Sequence, residues 1–366
     1  MKSRYFEGDH PALERRLEEH FSRVSHAFVT AGWRGALVLG GGYGRGEGGV
    51  MKGPEGEGFS NDLDYFLFDD APDEPRLATW CRDIEREESE LLGIDVEIKR
   101  LSASSMGDPS LSMMFADLVA GHVTVAGDAG FLLKMRADLD FKRIPAEEAT
   151  RLLWNRGSGM FFSRCRMGVD AQKPFVIRNH AKLKLALGDA WLCLHGGHSP
   201  RCRERAARLL GVDVPETVPQ LREWHAQGVE FKFHPFADGP SWTELEQEAR
   251  QLTAAWAEVY LAAEAFRLRR GFGGFSDYLR LPRLLRHAPL GRNLGLALRD
   301  RIKRGAYLRP LGDYPRAGLM RALPCLLDLT SGGVREAGRF LPKPPGDPDQ
   351  PVSWEATYAR WWACYA

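Results

Sequence analysis

The stretch Ala36-Leu37-Val38-Leu39-Gly40-Gly41-Gly42-Tyr43-Gly44-Arg45-Gly46-Glu47, and after it Asn61-Asp62-Leu63-Asp64-Tyr65-Phe66-Leu67-Phe68, decides the fold. The first apolar run has the length of a buried strand and ends directly in glycines. A turn without side-chain bulk lets backbone N–H groups approach phosphate oxygens, which makes Gly41, Gly42, Tyr43, Gly44 and Arg45 candidate anion-holding residues. A short helix starting near Gly44 would add a favourable partial charge. In the second run Asp62 and Asp64 stand two apart on a strand, so both carboxylates point to one face. Two hard oxygen ligands at that spacing suit Mg²⁺, which keeps waters and takes its remaining ligands from phosphates.

Outward from this core, Pro11 to Ala31 carries Leu13, Leu17, Phe21, Val24 and Phe28 at helical spacing, with Asp9 as cap and Gly32 as stop. Leu77, Trp80, Ile84 and Leu91 predict a second helix over Asp73 to Leu92. Ile94-Asp95-Val96-Glu97-Ile98 alternates as a third strand, with Asp95 and Glu97 on one face. Either acid can complete a metal site or take a proton from a hydroxyl. The order helix, strand, glycine turn, strand, helix, strand is an α/β pattern whose helical crossover sets the last two strands parallel and adjacent. From Ala146 onward long helical patterns dominate; Ser241-Trp242-Thr243-Glu244 reads as a capping box, with Leu245, Leu252, Trp256, Val259, Ala263 and Phe266 on one face. The expected division is 1–145, a helical domain 146–341, and a Pro-rich linker with tail helix 342–366.

A chain of 366 residues with 44% hydrophobic and 27% charged content is of the folded, two-domain kind. Its formal net charge of +1 excludes a global bias toward nucleic acid or anionic surfaces. The start Met1-Lys2-Ser3-Arg4-Tyr5 lacks the apolar core of a signal peptide, and no apolar run reaches the roughly 18 residues of a membrane span. Six scattered cysteines without a CxxC pair read as reduced thiols, so a cytoplasmic location and no membrane partner are expected. Cys193-x-His195-x-x-His198-x-x-x-Cys202 does not have zinc-ligand spacing and reads as a helix end and loop. The arginines of Arg280 to Arg316, Arg286 among them, read as solvated helix faces, the alternative being a site for a polyanion such as tRNA.

Two other phosphate motifs fail. Gly44-x-Gly46-x-x-Gly49 has the dinucleotide spacing, but the following Val50-Met51-Lys52-Gly53-Pro54-Glu55-Gly56 cannot form the helix it must open. The Gly-Lys-Ser/Thr of a Walker A loop is absent.

Gly41-Gly42-Tyr43-Gly44-Arg45-Gly46-Glu47 with Asn61-Asp62-Leu63-Asp64 resembles the DNA polymerase β-like nucleotidyltransferase superfamily, which includes aminoglycoside and minimal nucleotidyltransferases. The resemblance covers about the first third of the chain. It implies an α+β fold, a mixed-sheet nucleotidyltransferase core followed by an all-helical domain, with the active site in a cleft between them. It implies that Asp62 and Asp64 hold catalytic metals, that Gly41 and Gly42 face the triphosphate, and that the third acid is Asp95 or Glu97, with Asp95 preferred as metal ligand. In many members a basic residue of the helical domain reaches the triphosphate; by that similarity Lys182 is the first candidate and Lys184 the alternative. Arg178, one helical turn before Lys182, and Arg156 beside Asn155 are further candidates. The implied reaction is in-line attack of a hydroxyl on the α-phosphorus of an NTP, ATP favoured, assisted by two Mg²⁺ ions. The acceptor expected is a small molecule or a protein. An RNA nucleotide-adding enzyme and a non-catalytic nucleotide sensor are the alternatives.

Overall fold

The computed structural model describes residues 3–53, 56–70, 73–102, 112–137, 140–285 and 289–365. Its sheet grows from β1 (Ala36–Leu39), whose four residues are all buried. The strand β1 pairs antiparallel with β4 (Leu63–Asp69) on one side and with β6 (Val123–Ala126) on the other. β4 in turn pairs parallel with β5 (Val96–Ser102), in the order β5-β4-β1-β6. The sheet is therefore mixed, and the parallel pair is joined by the helical crossover expected, α3 (Pro75–Leu92).

Both faces of β4 are apolar, and alternation assigns them to two cores. Leu63, Tyr65 and Leu67 face α1 (Pro11–Thr30) and α3, packing with Leu17, Val24, Phe28 and Leu77. Phe66 and Phe68 face α4 (Met113–Ala120) and α5 (Gly130–Ala137), packing with Phe115, Leu118 and Leu132. A buried polar cluster ties the first layer to the sheet. Glu88 of α3 accepts from His20 Nδ1 at 2.7 Å and from Arg23 of α1 at 2.8 Å, while His20 Nε2 lies 2.6 Å from the Tyr65 hydroxyl. Burial alone would raise the Glu88 pKa, but the bonds from His20 and Arg23 prevail and hold it at about 2.

Several local expectations shift. The cap of α1 is His10 rather than Asp9, with Pro11 at the first turn and no side-chain cap. Leu91 is exposed and Leu92 turns inward. Asp62 and Asp95 precede their strands, which open at Leu63 and Val96 rather than at Asp62 and Ile94. The Gly-rich stretch after the turn contains a hairpin, β2 (Val50–Gly53) with β3 (Gly56–Phe59), anchored by buried Val50 and Phe59.

The chain divides into two compact units. The first comprises residues 1–148 together with 195–213 and 225–236; the second comprises 149–194, 214–224 and 237–366. The added stretches of the first unit carry α8 (Cys202–Leu209) and most of α9 (Leu221–Phe233).

The second unit is helical. It holds most of α6 (Ala146–Cys165), then α7 (Lys173–Leu194), α10 (Trp242–Leu268), α11 (Phe275–Leu279), α12 (Leu290–Arg304), α13 (Arg316–Leu326) and α14 (Glu355–Tyr365). The capping box at Ser241 forms as read, and α10 buries Leu245, Leu252, Trp256, Val259 and Ala263, while Phe266 faces solvent. The tail helix α14 packs within this unit: Tyr358 stacks edge-on against Phe161, and its hydroxyl lies 2.8 Å from Ser158 Oγ. Arg286 lies outside the described residues.

Candidate active site

The glycine turn, the acidic strand and the third acidic strand meet at one edge of the first unit. After β1, a single helical turn, α2 (Gly41–Gly44), reverses the chain; Gly44 ends it rather than begins it. Gly40 N–H donates to Asp64 O at 2.8 Å, pinning the turn to the start of β4. Gly41 has φ +60°, and a Cβ there would lie 2.7 Å from Asp64 Oδ2. A Cβ on Gly44 would strike Leu39 O at 2.4 Å. Only glycine fits at Gly44, and a side chain at Gly41 would need Asp64 to move aside. The amides of Gly41 and Gly42 form the first turn of α2 and make no backbone hydrogen bond among the described residues. They are donors without an intrahelical partner, set beside a carboxylate.

The parallel register places Asp64 opposite Glu97 and Phe66 opposite Lys99, all on one face of the sheet. Lys99 Nζ lies 3.1 Å from Asp64 Oδ1 and 3.3 Å from Glu97 Oε2. Burial works against the Lys99 charge, but the two carboxylates override it and raise its pKa. A compact cation thus already bridges the pair, so Asp64 and Glu97 suit a hard divalent ion that draws its other ligands from water and phosphate. Asp62 and Asp95 are exposed one residue before the register pair Leu63 and Val96. Among the described residues no three His, Cys, Asp or Glu side chains are gathered to hold one metal ion. The geometry pairs Asp64 with Glu97, and does not bring Asp62, Asp64 and Asp95 together as a metal triad.

The remaining motif residues turn inward. The Tyr43 side chain is fully buried against Phe6 and Phe59, and burial pushes its hydroxyl up to about 12. Only its backbone is left to face a ligand. Arg45 is held 3.7 Å from both Glu47 and Asp117, with its side chain 12% exposed. Glu47 is itself buried; it accepts from the Cys202 amide at 2.7 Å and from Lys232 Nζ at 2.6 Å. Desolvation opposes the charge on Glu47, and Lys232 and Arg45 outweigh it and lower its pKa. The Arg-Gly-Glu end of the motif therefore anchors the turn through Glu47 to α8 and α9, while Arg45 stands between Glu47 and Asp117.

The basic candidates of the second unit have individual surroundings. Lys184 is ion-paired with Glu248 of α10, which also accepts from His180 Nδ1 at 2.8 Å. Arg178 is exposed, its guanidinium 5.8 Å from the Phe175 ring centre, while Lys182 on α7 and Arg156 on α6 are half-buried. Asp189, further along α7, is buried. His195 and His198 of the rejected zinc pattern belong to the first unit, where His198 Nε2 contacts Asp117 at 3.0 Å.

Lys99 escaped the sequence reading. Its signal was present, because two residues after Glu97 on a strand it must share that face. No protein-family model, no curated protein and no solved structure matches the chain.

Proposed function

We propose that the chain is a metal-dependent nucleotidyltransferase, moving a nucleoside monophosphate from an NTP, ATP favoured, to the hydroxyl of a small molecule or protein. The observation that carries this reading is the contact of Gly41 with Asp64, beside a Glu97 in register and an ammonium shared between the two carboxylates. It sets amide donors for phosphate and carboxylates for a cation within one side-chain length. The Gly41 and Gly42 amides donate to phosphate oxygens, oriented before the ligand arrives. The Lys99 ammonium offsets phosphate charge, and Glu97 takes the proton of the acceptor hydroxyl. Asp64 and Glu97 would hold Mg²⁺, which when bound polarises phosphoryl oxygens. The resemblance implies two such ions, and Asp64 and Glu97, paired in register, are the carboxylates for one of them.

The test is pyrophosphate release by the full chain with each NTP and Mg²⁺, across a panel of acceptors. Asp64→Asn should lower it at least about 100-fold without changing the melting temperature. Undiminished release in that variant would exclude this site.

The bridging Lys99 favours one second reading, a non-catalytic nucleotide sensor in which the ammonium keeps the cation's place. Such a protein would bind NTP by calorimetry and release no pyrophosphate, and Lys99→Met would weaken its binding.

A further inference from the structure

The helix α12 is built inside out. Its inward row carries Asn293 and Asp300, both fully buried, with Ala297 between them. Asp300 is met by Arg299, Arg304 and the Tyr365 hydroxyl, and Asn293 Nδ2 donates to Gly312 O at 3.2 Å. The outward row carries Leu290, Leu294, Leu298 and Ile302, which are 53%, 45%, 62% and 75% exposed. Recurring every fourth residue, they form one slowly winding aliphatic stripe of about 18 Å. Four large aliphatic side chains in line on a helix, left in water, mark a surface that something covers.

The charges beside the stripe are of one sign. Arg299 and Lys303 adjoin Ile302 on one side and Arg301 adjoins Leu298 on the other, and the single acid of the helix, Asp300, is buried. In the last turn of α12, Arg301 joins Tyr307, Arg309 and Lys343 from beyond the helix in lining a cleft of about 290 Å³ that has no carboxylate in its lining. An aliphatic stripe with cationic borders is the pattern of a helix lying in the plane of an anionic lipid surface.

We propose that α12 docks the protein on an anionic membrane surface: the stripe Leu290 to Ile302 enters the headgroup boundary, its basic borders meet lipid phosphates, and the Arg301–Arg309–Lys343 cleft takes one headgroup. A second copy of the chain is the poorer occupant, since apposing two such faces would bring like charges together. A helix-binding protein is poorer too, because the stripe is convex and offers no groove. Among the described residues no helix is long and apolar enough to cross a membrane, so the association is peripheral. The inference uses none of the residues of the nucleotidyltransferase reading and stands or falls separately from it.

The test is co-sedimentation of the full chain with equimolar phosphatidylserine/phosphatidylcholine vesicles and with phosphatidylcholine vesicles. Binding is expected to the first and not the second. The double substitution Leu298→Asp/Ile302→Asp should reduce it at least about tenfold, and Lys303→Gln about fivefold. All three side chains are exposed, so both variants should melt as the wild type does. Failure to bind anionic vesicles would overturn the proposal, as would binding that survives the double substitution. A dimer in sedimentation velocity that the double substitution dissociates, without vesicle binding, would assign the stripe to a second copy. Salt-sensitive RNA binding without vesicle binding would assign the cations to nucleic acid.

Discussion

Gly41→Ala separates the site from the scaffold. At φ +60° an L side chain costs about 1–2 kcal/mol, which is the expected loss of stability. The new Cβ would also sit 2.7 Å from Asp64 Oδ2. The Asp64 side chain is 34% exposed and short, so it can rotate away rather than block folding. That rotation breaks its 3.1 Å contact with Lys99 and moves the carboxylate on the order of 1 Å, a displacement worth about 100-fold in rate when the group acts on the reacting atoms. Pyrophosphate release should therefore fall about 100-fold, far more than the modest drop in a urea midpoint. Gly58→Ala is the control: a Cβ there meets nothing within 4 Å, and neither measurement should change. Wild-type release by Gly41→Ala would refute the placement of the turn in the site, whatever its stability.

Two further outcomes concern the scaffold. A Glu88 pKa lowered from the ordinary 4.5 to about 2 represents about 3 kcal/mol of stability. Because the folded-state value is the lower one, this contribution is complete above the ordinary carboxylate range and disappears as pH falls toward 2. Glu88→Gln should flatten that acid limb in urea unfolding across pH; an unchanged limb would remove Glu88 from the account. Burial pushes the thiols of Cys165 and Cys325 up to about 12 and that of Cys81 up to about 11. Cys193 and Cys202 are buried and Cys364 is exposed. Ellman's reagent at mildly alkaline pH should titrate Cys364 rapidly and all six thiols only after denaturation; fast reaction of several native thiols would contradict the packing.

The nucleotide-binding candidates in the turn were legible to different depths. Spacing brought Gly41, Gly42, Asp64 and Glu97 into one argument because a glycine turn and a two-residue period are local properties. The same spacing could not tell which motif residues face a ligand. Tyr43 enters the core and Arg45 enters a buried ion cluster because the distant partners, Phe59 and Asp117, reach them only through the fold, while Glu47 stands in the motif itself.

By itself the sequence determined β1, the glycine turn, the acidic strand, α3 with its parallel crossover, and the capping box of α10. Each rests on a period or a cap that neighbouring residues complete among themselves. Residues 195–213 and 225–236 join the first unit through long-range contacts that no local pattern announces; there the Cys202 amide and Lys232 satisfy buried Glu47. Only the tertiary structure decided that Lys99 bridges Asp64 and Glu97, which needs the inter-strand register. The outward turn of the α12 leucines belongs to the same class. An amphipathic pattern by itself predicts the apolar face inward, and here Tyr365 and Arg304 complete Asp300, so that the polar face is the buried one.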